Sequence, residues 1–388
     1  MLLLWRLRCA TLVRRCTTSF HFPALPRYNT DNMDRELSRR DFLKIAGGSA
    51  TAMTLSRPFA TRSDYISMAQ KESKKPMNNT RSKLPREVWI ATFQGGASGN
   101  TYQEKVENMI KRMEKAVPLQ PDIICLSEVF PFVDLPGGRP PLDKVAESPI
   151  GPLCKPFAQF AAKNRCYVFC PIYTRENGRF YNALVLVDRN GELVGEYRKM
   201  HPTDGEMERG VSPGTLDTPV FQTDFGVIGA QICFDIEWDD GWSRLQKAGA
   251  DIVFWSSAFG GGRALNARAQ VSKYFIVSST RKGTSKIIDM TGADIAVTGQ
   301  WKNWACAPVN LERVLVHTWP FYRHFRDIEA KYGQSIHITT FHEEEWSIIE
   351  SRSPDLRVAD VLKEFEIPAY KDFISNVERM QNRLRGNG

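Results

Sequence analysis

The sequence predicts an α/β fold for residues 86–320. Three observations lead to this class: short apolar runs rich in β-branched residues recur along the stretch, amphipathic helical patterns separate several of them, and Asn190-Gly191 marks a tight hairpin turn. Strands that alternate with helices favour a sheet covered by helices within one domain. A stretch of this length can also bury a large core.

The expected elements follow these apolar patterns along the chain. We expect strands at 88–93, 123–126, 166–173, 181–188, 193–198, 221–232, 252–256, 274–279 and 285–289, and helices at 101–117, 153–164, 242–248 and 264–272. The first helix is predicted because apolar residues recur at helical spacing, among them Val106, Ile110 and Met113. The strands on either side of Asn190-Gly191 are predicted as a hairpin because Asn-Gly supplies the positive φ angles of a tight turn.

The first 85 residues differ in composition from the rest of the chain. They hold 16 Lys and Arg against 6 Asp and Glu, a net charge of +10, whereas residues 86–388 carry −2. The overall charge of +8 therefore belongs to this leader and gives no reason to expect a nucleic-acid partner. No apolar run reaches about 18 residues, so no integral membrane segment is expected.

A segment of the leader resembles a twin-arginine export signal. The residues S-R-R-D-F-L-K at 38–44 precede a weakly apolar run, rich in Gly and Ala, at 45–55. We expect a signal at 33–60, a flexible linker at 61–85, and export, for example to the periplasm; a cytoplasmic or organellar location is the alternative. Residues 1–32 are expected either to lie upstream of a true start at Met33 or to form a separate leader.

A candidate nucleophile follows the strand expected at 221–232. The run V-I-G-A-Q-I leads to Cys233, and Asp235 and Glu237 then fall where the first turn of a helix favours negative charge. A cysteine between a parallel strand and the next element lies where α/β proteins place reacting groups. Backbone donors at that position would lower the pKa of the thiol. Core packing is the alternative, since free cysteines are among the most buried residues.

Two other strand ends carry groups that such a cysteine needs. Glu128 follows the strand at 123–126 and is suited to act as a base, and Lys199 ends the hairpin. An ammonium there would stabilise a thiolate and the oxyanion formed when a carbonyl or nitrile carbon is attacked. Taken alone, either residue is more often a solvated rim residue. Pairing of His201 with Cys233, as in a thiol protease, is a weaker alternative.

The three residues in this order resemble the nitrilase superfamily of carbon–nitrogen hydrolases. The resemblance rests on L-S-E-V-F around Glu128, E-Y-R-K-M-H-P around Lys199 and Q-I-C-F-D-I-E-W around Cys233, with F-Y-N-A-L at 180–184 in support. Where members often have R-A-x-E-N, this chain has R-A-Q-V-S at 268–272. The resemblance implies a four-layer α-β-β-α sandwich and a Glu-Lys-Cys triad that uses no metal and no organic cofactor.

The resemblance also implies roles for these residues. Glu128 would take the proton of Cys233 and later activate water, while Lys199 and the backbone N–H of Phe234 would hold the oxyanion. The product of the first step would be an acyl-thioester, with loss of ammonia or an amine.

Two further expectations depend on the same resemblance. Many members have another structural glutamate in the loop after the lysine; Glu206 and Glu208 are both candidates, and we choose Glu206 for its spacing of seven residues from Lys199. Members commonly associate through C-terminal arms, so a homodimer or larger homo-oligomer is expected. The extension at 321–388 would then make subunit contacts or cover the pocket.

The resulting hypothesis is an amidase-type hydrolase of non-peptide carbon–nitrogen bonds in small amides or N-carbamoyl compounds. The residues F-D-I-E-W that begin at Phe234 look closer to the amidase branches than to true nitrilases, which commonly have W-E-N there. A nitrilase is the enzymatic alternative. A catalytically silent binding protein of the same fold is the non-enzymatic one, and the intact triad argues against it.

Overall fold

The computed structural model describes residue 84 and residues 86–386. Its strands are β1 (Glu87–Phe93), β2 (Ile123–Cys125), β3 (Tyr167–Glu176), β4 (Arg179–Val187), β5 (Leu193–Arg198), β6 (Val220–Gln222), β7 (Val227–Ile232), β8 (Ile252–Ser257), β9 (Phe275–Thr280), β10 (Lys286–Ile288), β11 (Asp294–Val297), β12 (Trp304–Asn310), β13 (Arg313–His317), β14 (Ile336–Phe341) and β15 (Trp346–Ser351). Its helices are α1 (Tyr102–Met113), α2 (Leu142–Val145), α3 (Lys155–Asn164), α4 (Asp204–Glu208), α5 (Asp240–Lys247), α6 (Gly262–Ser272), α7 (Phe325–Tyr332), α8 (Val358–Glu364) and α9 (Tyr370–Leu384).

The predicted leader, twin-arginine signal and linker fall outside the described residues, apart from Leu84. Within the described part of the chain, no helix has both the length and the apolar character needed to cross a membrane.

Two six-stranded sheets form the centre of the fold. The strand order is β12-β1-β2-β3-β4-β5 in the first sheet and β11-β10-β9-β8-β7-β6 in the second. The strands β1, β2 and β3 run parallel, as do β7, β8 and β9, and the other neighbours are antiparallel. Parallel strands need crossover connections, and α1, α3, α5 and α6 lie in those connections. Residues that follow β2 and β7 therefore lie at the C-terminal edges of their sheets.

Apolar side chains hold the layers together. Helices α1 and α3 cover the outer face of the first sheet, with Met109 fully buried there. The inner faces of the two sheets meet in a second core, where the rings of Phe169 and Phe254 lie 5.1 Å apart. Helices α5 and α6 cover the outer face of the second sheet through Trp242 and Leu265. The fold is a four-layer α-β-β-α sandwich, which confirms the predicted class.

Hydrogen bonds join the two sheets near the ends of their parallel strands. The hydroxyl of Ser256 in β8 donates to the carbonyl of Leu126, just beyond β2, at 2.7 Å. The hydroxyl of Ser279 in β9 donates to the carbonyl of Phe93 in β1 at 2.6 Å. Both hydroxyls are buried, so each bond also satisfies a polar group that could not otherwise be buried without cost. The C-terminal edges of the sheets are thereby fixed against each other.

Two predicted elements were wrong in extent. The single strand expected at 221–232 is a hairpin of β6 and β7, because Thr223 forms a turn in which its N–H and hydroxyl both donate to the carbonyl of Gly226. The helix expected at 101–117 ends at Met113, and a 3₁₀ turn follows at Val117–Leu119. Pro118 disfavours the α conformation for Val117, which limits any continuation.

The C-terminal part of the chain adds a third, smaller sheet with the order β13-β15-β14. Its outer side packs against α7 and α8 in a separate core that includes Val316, Ile328 and Ile349. Its other side contributes Leu315 and Ile348 to the core between the two large sheets. The domain boundary predicted at residue 320 falls within this sheet, because β13 lies before residue 320 and β14 and β15 lie after it.

Candidate active site

Glu128 lies two residues beyond Leu126, at the C-terminal edge of the first sheet. Its side chain is 4% exposed. The segment that carries it is held by Ser256 at Leu126 and by the hydroxyl of Ser127, which donates to the carbonyl of Gly95 at 3.1 Å. The carboxylate is thus presented from a well-anchored loop.

Lys199 joins two predicted site residues. It follows β5 directly and is 1% exposed, and its Nζ donates to Glu128 Oε1 at 2.9 Å and to Glu206 Oε2 at 2.7 Å. Burial alone lowers the pKa of Lys199, but Glu128, Glu206 and Cys233 raise it by a larger amount. The ammonium therefore stays protonated between two buried carboxylates.

The structure places Glu206, rather than Glu208, in this cluster. Glu206 is buried in α4, which begins with a capping box in which Thr203 Oγ1 accepts from Glu206 N, while Thr203 N donates to Glu206 Oε2 at 2.9 Å. Burial raises the pKa of Glu206, but Lys199, Thr203 and Asn182 outweigh it and hold that pKa below its usual value. Glu208 is exposed.

Asn182 is a member of the cluster that the sequence analysis did not identify as a site residue. It lies in β4, is 1% exposed, and its Nδ2 donates to Glu128 Oε1 at 2.9 Å and to Glu206 Oε1 at 2.7 Å. The backbone carbonyl of Asn182 also accepts from Lys199 N at 2.8 Å. The signal in the sequence was a lone polar residue in the apolar run F-Y-N-A-L. Both hydrogens of the buried amide nitrogen thus have a carboxylate acceptor, as buried donors usually do.

Cys233 begins a sharp turn at the end of β7. Its φ is +47°, a left-handed backbone conformation that non-glycine residues rarely adopt. It opens a 3₁₀ turn at Cys233–Glu237, where the sequence analysis expected the first turn of an α-helix. The carbonyl of Cys233 accepts from the indole N–H of Trp255 at 3.1 Å. Such strain persists only where the surroundings enforce it, and it occurs often at active sites.

The expected lowering of the Cys233 pKa was wrong. Burial, together with the charge of Glu128, raises the pKa of the thiol to about 11. Lys199, the backbone N–H of Ala258 and the side chain of Ser257 act in the opposite direction without reversing the shift. The backbone donors expected from the sequence are outweighed by the apolar layers around the sulfur. The resting group is a thiol, so its proton has to be removed during any nucleophilic attack.

The backbone N–H of Phe234 lies in the first turn after the strand. Phe234 is the second residue of the 3₁₀ turn. At that position a backbone N–H group has no carbonyl partner within the helix. The ring of Phe234 packs edge-on against Trp238 at 5.0 Å. Trp238 is 39% exposed, whereas Trp242 and Trp255 are buried core residues.

Arg281 is a second cation near the cluster that the sequence analysis missed. It follows β9, and its Nη2 lies 3.9 Å from Glu128 Oε2. Among the described residues, Glu128 Oε2 accepts no hydrogen bond, whereas Oε1 accepts from Lys199 and Asn182. The two oxygens of Glu128 are thus in different environments. No group of three or more His, Cys, Asp or Glu in residues 86–386 is arranged to hold a metal ion.

Two family models match the chain, one for each resemblance found in the sequence. The model described as carbon-nitrogen hydrolase matches residues 90–315, more than half of the chain, and that range contains Glu128, Lys199 and Cys233. The model of the twin-arginine translocation pathway signal matches residues 36–56.

Curated relatives are similar at low identity. The deaminated glutathione amidase of Mus musculus is 27% identical over 246 residues, which cover 54% of this chain and 74% of the relative. The nitrilase and fragile histidine triad fusion protein of Drosophila melanogaster is 27% identical over 232 residues, which cover 55% of this chain and 50% of the fusion protein. The chain thus spans half the length of that fusion protein.

Solved structures share the fold. A mutant of the amidase from Nesterenkonia sp. AN1 matches with a TM-score of 0.52 and 16% identity, covering 59% of this chain and 93% of that one. That structure shows the acetamide moiety of fluoroacetamide covalently added at its active-site cysteine.

Proposed function

Because this chain belongs to the carbon–nitrogen hydrolase family, we propose that it hydrolyses non-peptide carbon–nitrogen bonds in small amides or N-carbamoyl compounds. The observation that carries the proposal is one buried cluster in which Lys199 bonds to both Glu128 and Glu206, with Cys233 close enough for the charges of Glu128 and Lys199 to act on its pKa. A buried scaffold without chemistry has no need of two carboxylates around one ammonium beside a thiol.

The first half of the reaction acylates Cys233. The thiol gives its proton to Glu128 as the sulfur attacks the carbonyl carbon, and the carbonyl oxygen becomes an oxyanion. Lys199 and the backbone N–H of Phe234 stabilise that oxyanion. The carbon–nitrogen bond then breaks, the leaving nitrogen takes the proton from Glu128, and ammonia or an amine departs. A thiol with a pKa of about 11 supports this role for Glu128, because a base is required.

The second half returns the enzyme to its starting state. Water gives a proton to Glu128 and attacks the thioester carbon, and collapse of the new oxyanion breaks the carbon–sulfur bond. The sulfur recovers its proton from Glu128, and the acid product leaves. We assign the proton transfers of both halves to Oε2 of Glu128, which accepts no hydrogen bond from the described residues, since Oε1 is held by Lys199 and Asn182.

We favour amides over nitriles because of the residues after Cys233, F-D-I-E-W, and because the relatives named above include amidases. We also propose export through the twin-arginine pathway, in line with the match at residues 36–56.

A screen of ammonia release tests the function. The chain is incubated with aliphatic amides, N-carbamoyl amino acids and nitriles, and intact mass is recorded for an acyl adduct. We expect turnover of at least one amide or carbamoyl compound, an adduct on the wild type, and neither in Cys233→Ala. Turnover of nitriles alone would favour a nitrilase, and unchanged turnover in Cys233→Ala would remove the basis of the mechanism.

A further inference from the structure

The carboxylate of Asp235 is a buried group that the proposed chemistry does not use. It is 1% exposed and lies two residues after Cys233. Its Oδ2 accepts from Ile232 N at 2.8 Å and from the hydroxyl of Tyr197 at 2.7 Å. Its Oδ1 accepts from His201 N at 2.8 Å and faces His201 Nδ1 at 3.0 Å. Four contacts to one buried carboxylate exceed what a simple helix cap needs.

These contacts join the two segments that carry the proposed catalytic groups. Ile232 immediately precedes Cys233, in the second sheet. Tyr197 and His201 lie two residues before and after Lys199, at the end of the first sheet. One carboxylate therefore bonds both to the segment that carries the ammonium and to the segment that carries the sulfur. The bond from Ile232 N also closes the turn in which Cys233 takes its left-handed conformation.

The ring of His201 adds a second connection between these segments. It stacks on the indole of Trp238 with ring centres 4.2 Å apart and an angle of 7°. Its Nε2 lies 3.5 Å from Asp240 Oδ2. Because a carboxylate only accepts hydrogen bonds, Nδ1 carries the hydrogen that points to Asp235. His201 is thus held at both ring nitrogens and on one face.

We propose that Asp235 and His201 form a positioning pair that holds Lys199 and Cys233 at their working separation. The inference rests on the proposed function for its consequence in turnover, but the geometry of the sulfur can be tested separately. A displacement of about 1 Å at a reacting group can reduce a rate about 100-fold, so a pair that ties two loops together has a large effect without touching substrate.

Two substitutions of His201 separate hydrogen bonding from packing. His201→Phe keeps a ring on Trp238 but removes the donor, and His201→Asn places an amide donor near the position of Nδ1. His337→Phe is the matched control, because His337 is an exposed histidine in β14. For each variant we would measure kcat, KM, the thermal unfolding midpoint and the rate at which chloroacetamide alkylates Cys233, followed by intact mass.

We expect His201→Phe to lower kcat and the alkylation rate about 10-fold or more, with KM changed less than about threefold. His201→Asn should recover both rates to within about threefold of wild type, and His337→Phe should match wild type. If His201→Phe fails to fold, Tyr197→Phe removes a different donor to Asp235 and keeps its buried ring, and the same direction of change is expected.

Two results would overturn the inference: wild-type alkylation of Cys233 in His201→Phe, or an alkylation rate in His201→Asn as low as that in His201→Phe, which would show that a donor to Asp235 does not restore the position of the sulfur. A wild type that hydrolyses none of the compounds counts against the proposed function instead. The alkylation rates of the variants still decide the positioning role in that case.

Discussion

The ammonium of Lys199 bonds to two buried carboxylates, so removal of Lys199 should lower the free energy of unfolding. Lys199→Met fills much of the same space but leaves Glu128 and Glu206 without their shared cation. We expect the free energy of unfolding to fall by about 3–5 kcal/mol, because an unpaired buried charge is strongly destabilising. Urea denaturation measures the change. Cys233→Ala is the control, expected within about 1 kcal/mol of wild type; equal stability of the two variants would contradict this account.

His201 gives the stability of the fold a dependence on pH. The hydrogen bond to Asp235 raises the pKa of His201 above its ordinary value of 6.5, against partial burial, and the charges of Asp235 and Asp240 add to the increase. The folded state therefore favours the protonated ring. Its stabilisation is fully present below the ordinary pKa and is lost as pH rises through the folded pKa.

The measurement is the difference in unfolding free energy between wild type and His201→Asn, taken from about pH 5.5 to about pH 8.5. Among the described residues, the groups that face the ring are the carboxylates of Asp235 and Asp240 and the indole of Trp238, and both carboxylates favour the protonated ring. We expect the wild-type advantage to shrink as pH rises. An advantage that stays constant or grows would show that the protonated ring is not the favoured form.

At the scale of elements, the loop after β5 depends on a close backbone approach at Gly214. A Cβ at Gly214 would collide with the backbone carbonyl of Arg198, and Gly214 N donates to the carbonyl of Lys199 at 2.8 Å. Gly214→Ala should therefore destabilise the protein by about 1–3 kcal/mol and lower kcat, since the end of β5 must move.

Gly205→Ala is the matched control for this prediction. Gly205 lies in α4, and a Cβ there would meet no atom within 4 Å. We expect that variant to be neutral or more stable by up to about 1 kcal/mol, because alanine favours a helix over glycine. Thermal unfolding and kcat measured side by side decide the matter; if both variants behave alike, the contact at Gly214 has no role.

The sequence predicted the strand ends better than the environment of the groups placed on them. Glu128 and Cys233 were identifiable because each follows an apolar strand, and Lys199 because it ends the hairpin. The raised pKa of Cys233 was not, since burial depends on layers formed by distant segments. The contacts of Asn182 and Asp235 were missed for the same reason, because most of their partners come from distant segments of the chain.

Turn chemistry explains the errors in element extent. The hairpin of β6 and β7 was predicted as one strand, although Q-T-D-F-G at 222–226 separates the apolar residues on either side. The bonds from Thr223 to the carbonyl of Gly226 close this segment into a turn. The alternation of strands and helices was visible in the sequence. The assembly into two facing sheets was implied only by the family resemblance, since the pairing of β1 with β12 joins segments more than 200 residues apart.

At the scale of the molecule, the C-terminal region divides into a part that belongs to the core and a part that does not. Leu315 and Ile348 are buried between the large sheets, whereas α9 has no buried residue. A chain ending at Ala369 should stay folded. Its free energy of unfolding should be lower by about 1–3 kcal/mol, because the aromatic contacts of Tyr370 and Phe373 are lost.

The matched truncation ends at Leu311 and removes β13, β14 and β15 together with α7 to α9. We expect that chain to be insoluble, because it uncovers the core between the sheets. Circular dichroism and solubility compare the two. The homo-oligomer stays a prediction, and light scattering of the chain ending at Ala369 tests whether α9, with Met380 and Leu384 exposed, makes the subunit contact. Failure of both truncations to fold would place α9 within the core-forming unit.

The charges around Glu128 have a consequence for how the site responds to its medium. Glu128 and Glu206 are matched by Lys199 and by Arg281 at 3.9 Å, so these four side chains sum to zero formal charge. Movement of a proton from sulfur to Glu128 redistributes charge inside this set without changing its total. No counterion has to enter or leave with each turnover, and acylation of an uncharged amide should proceed at nearly the same rate in dilute and concentrated salt.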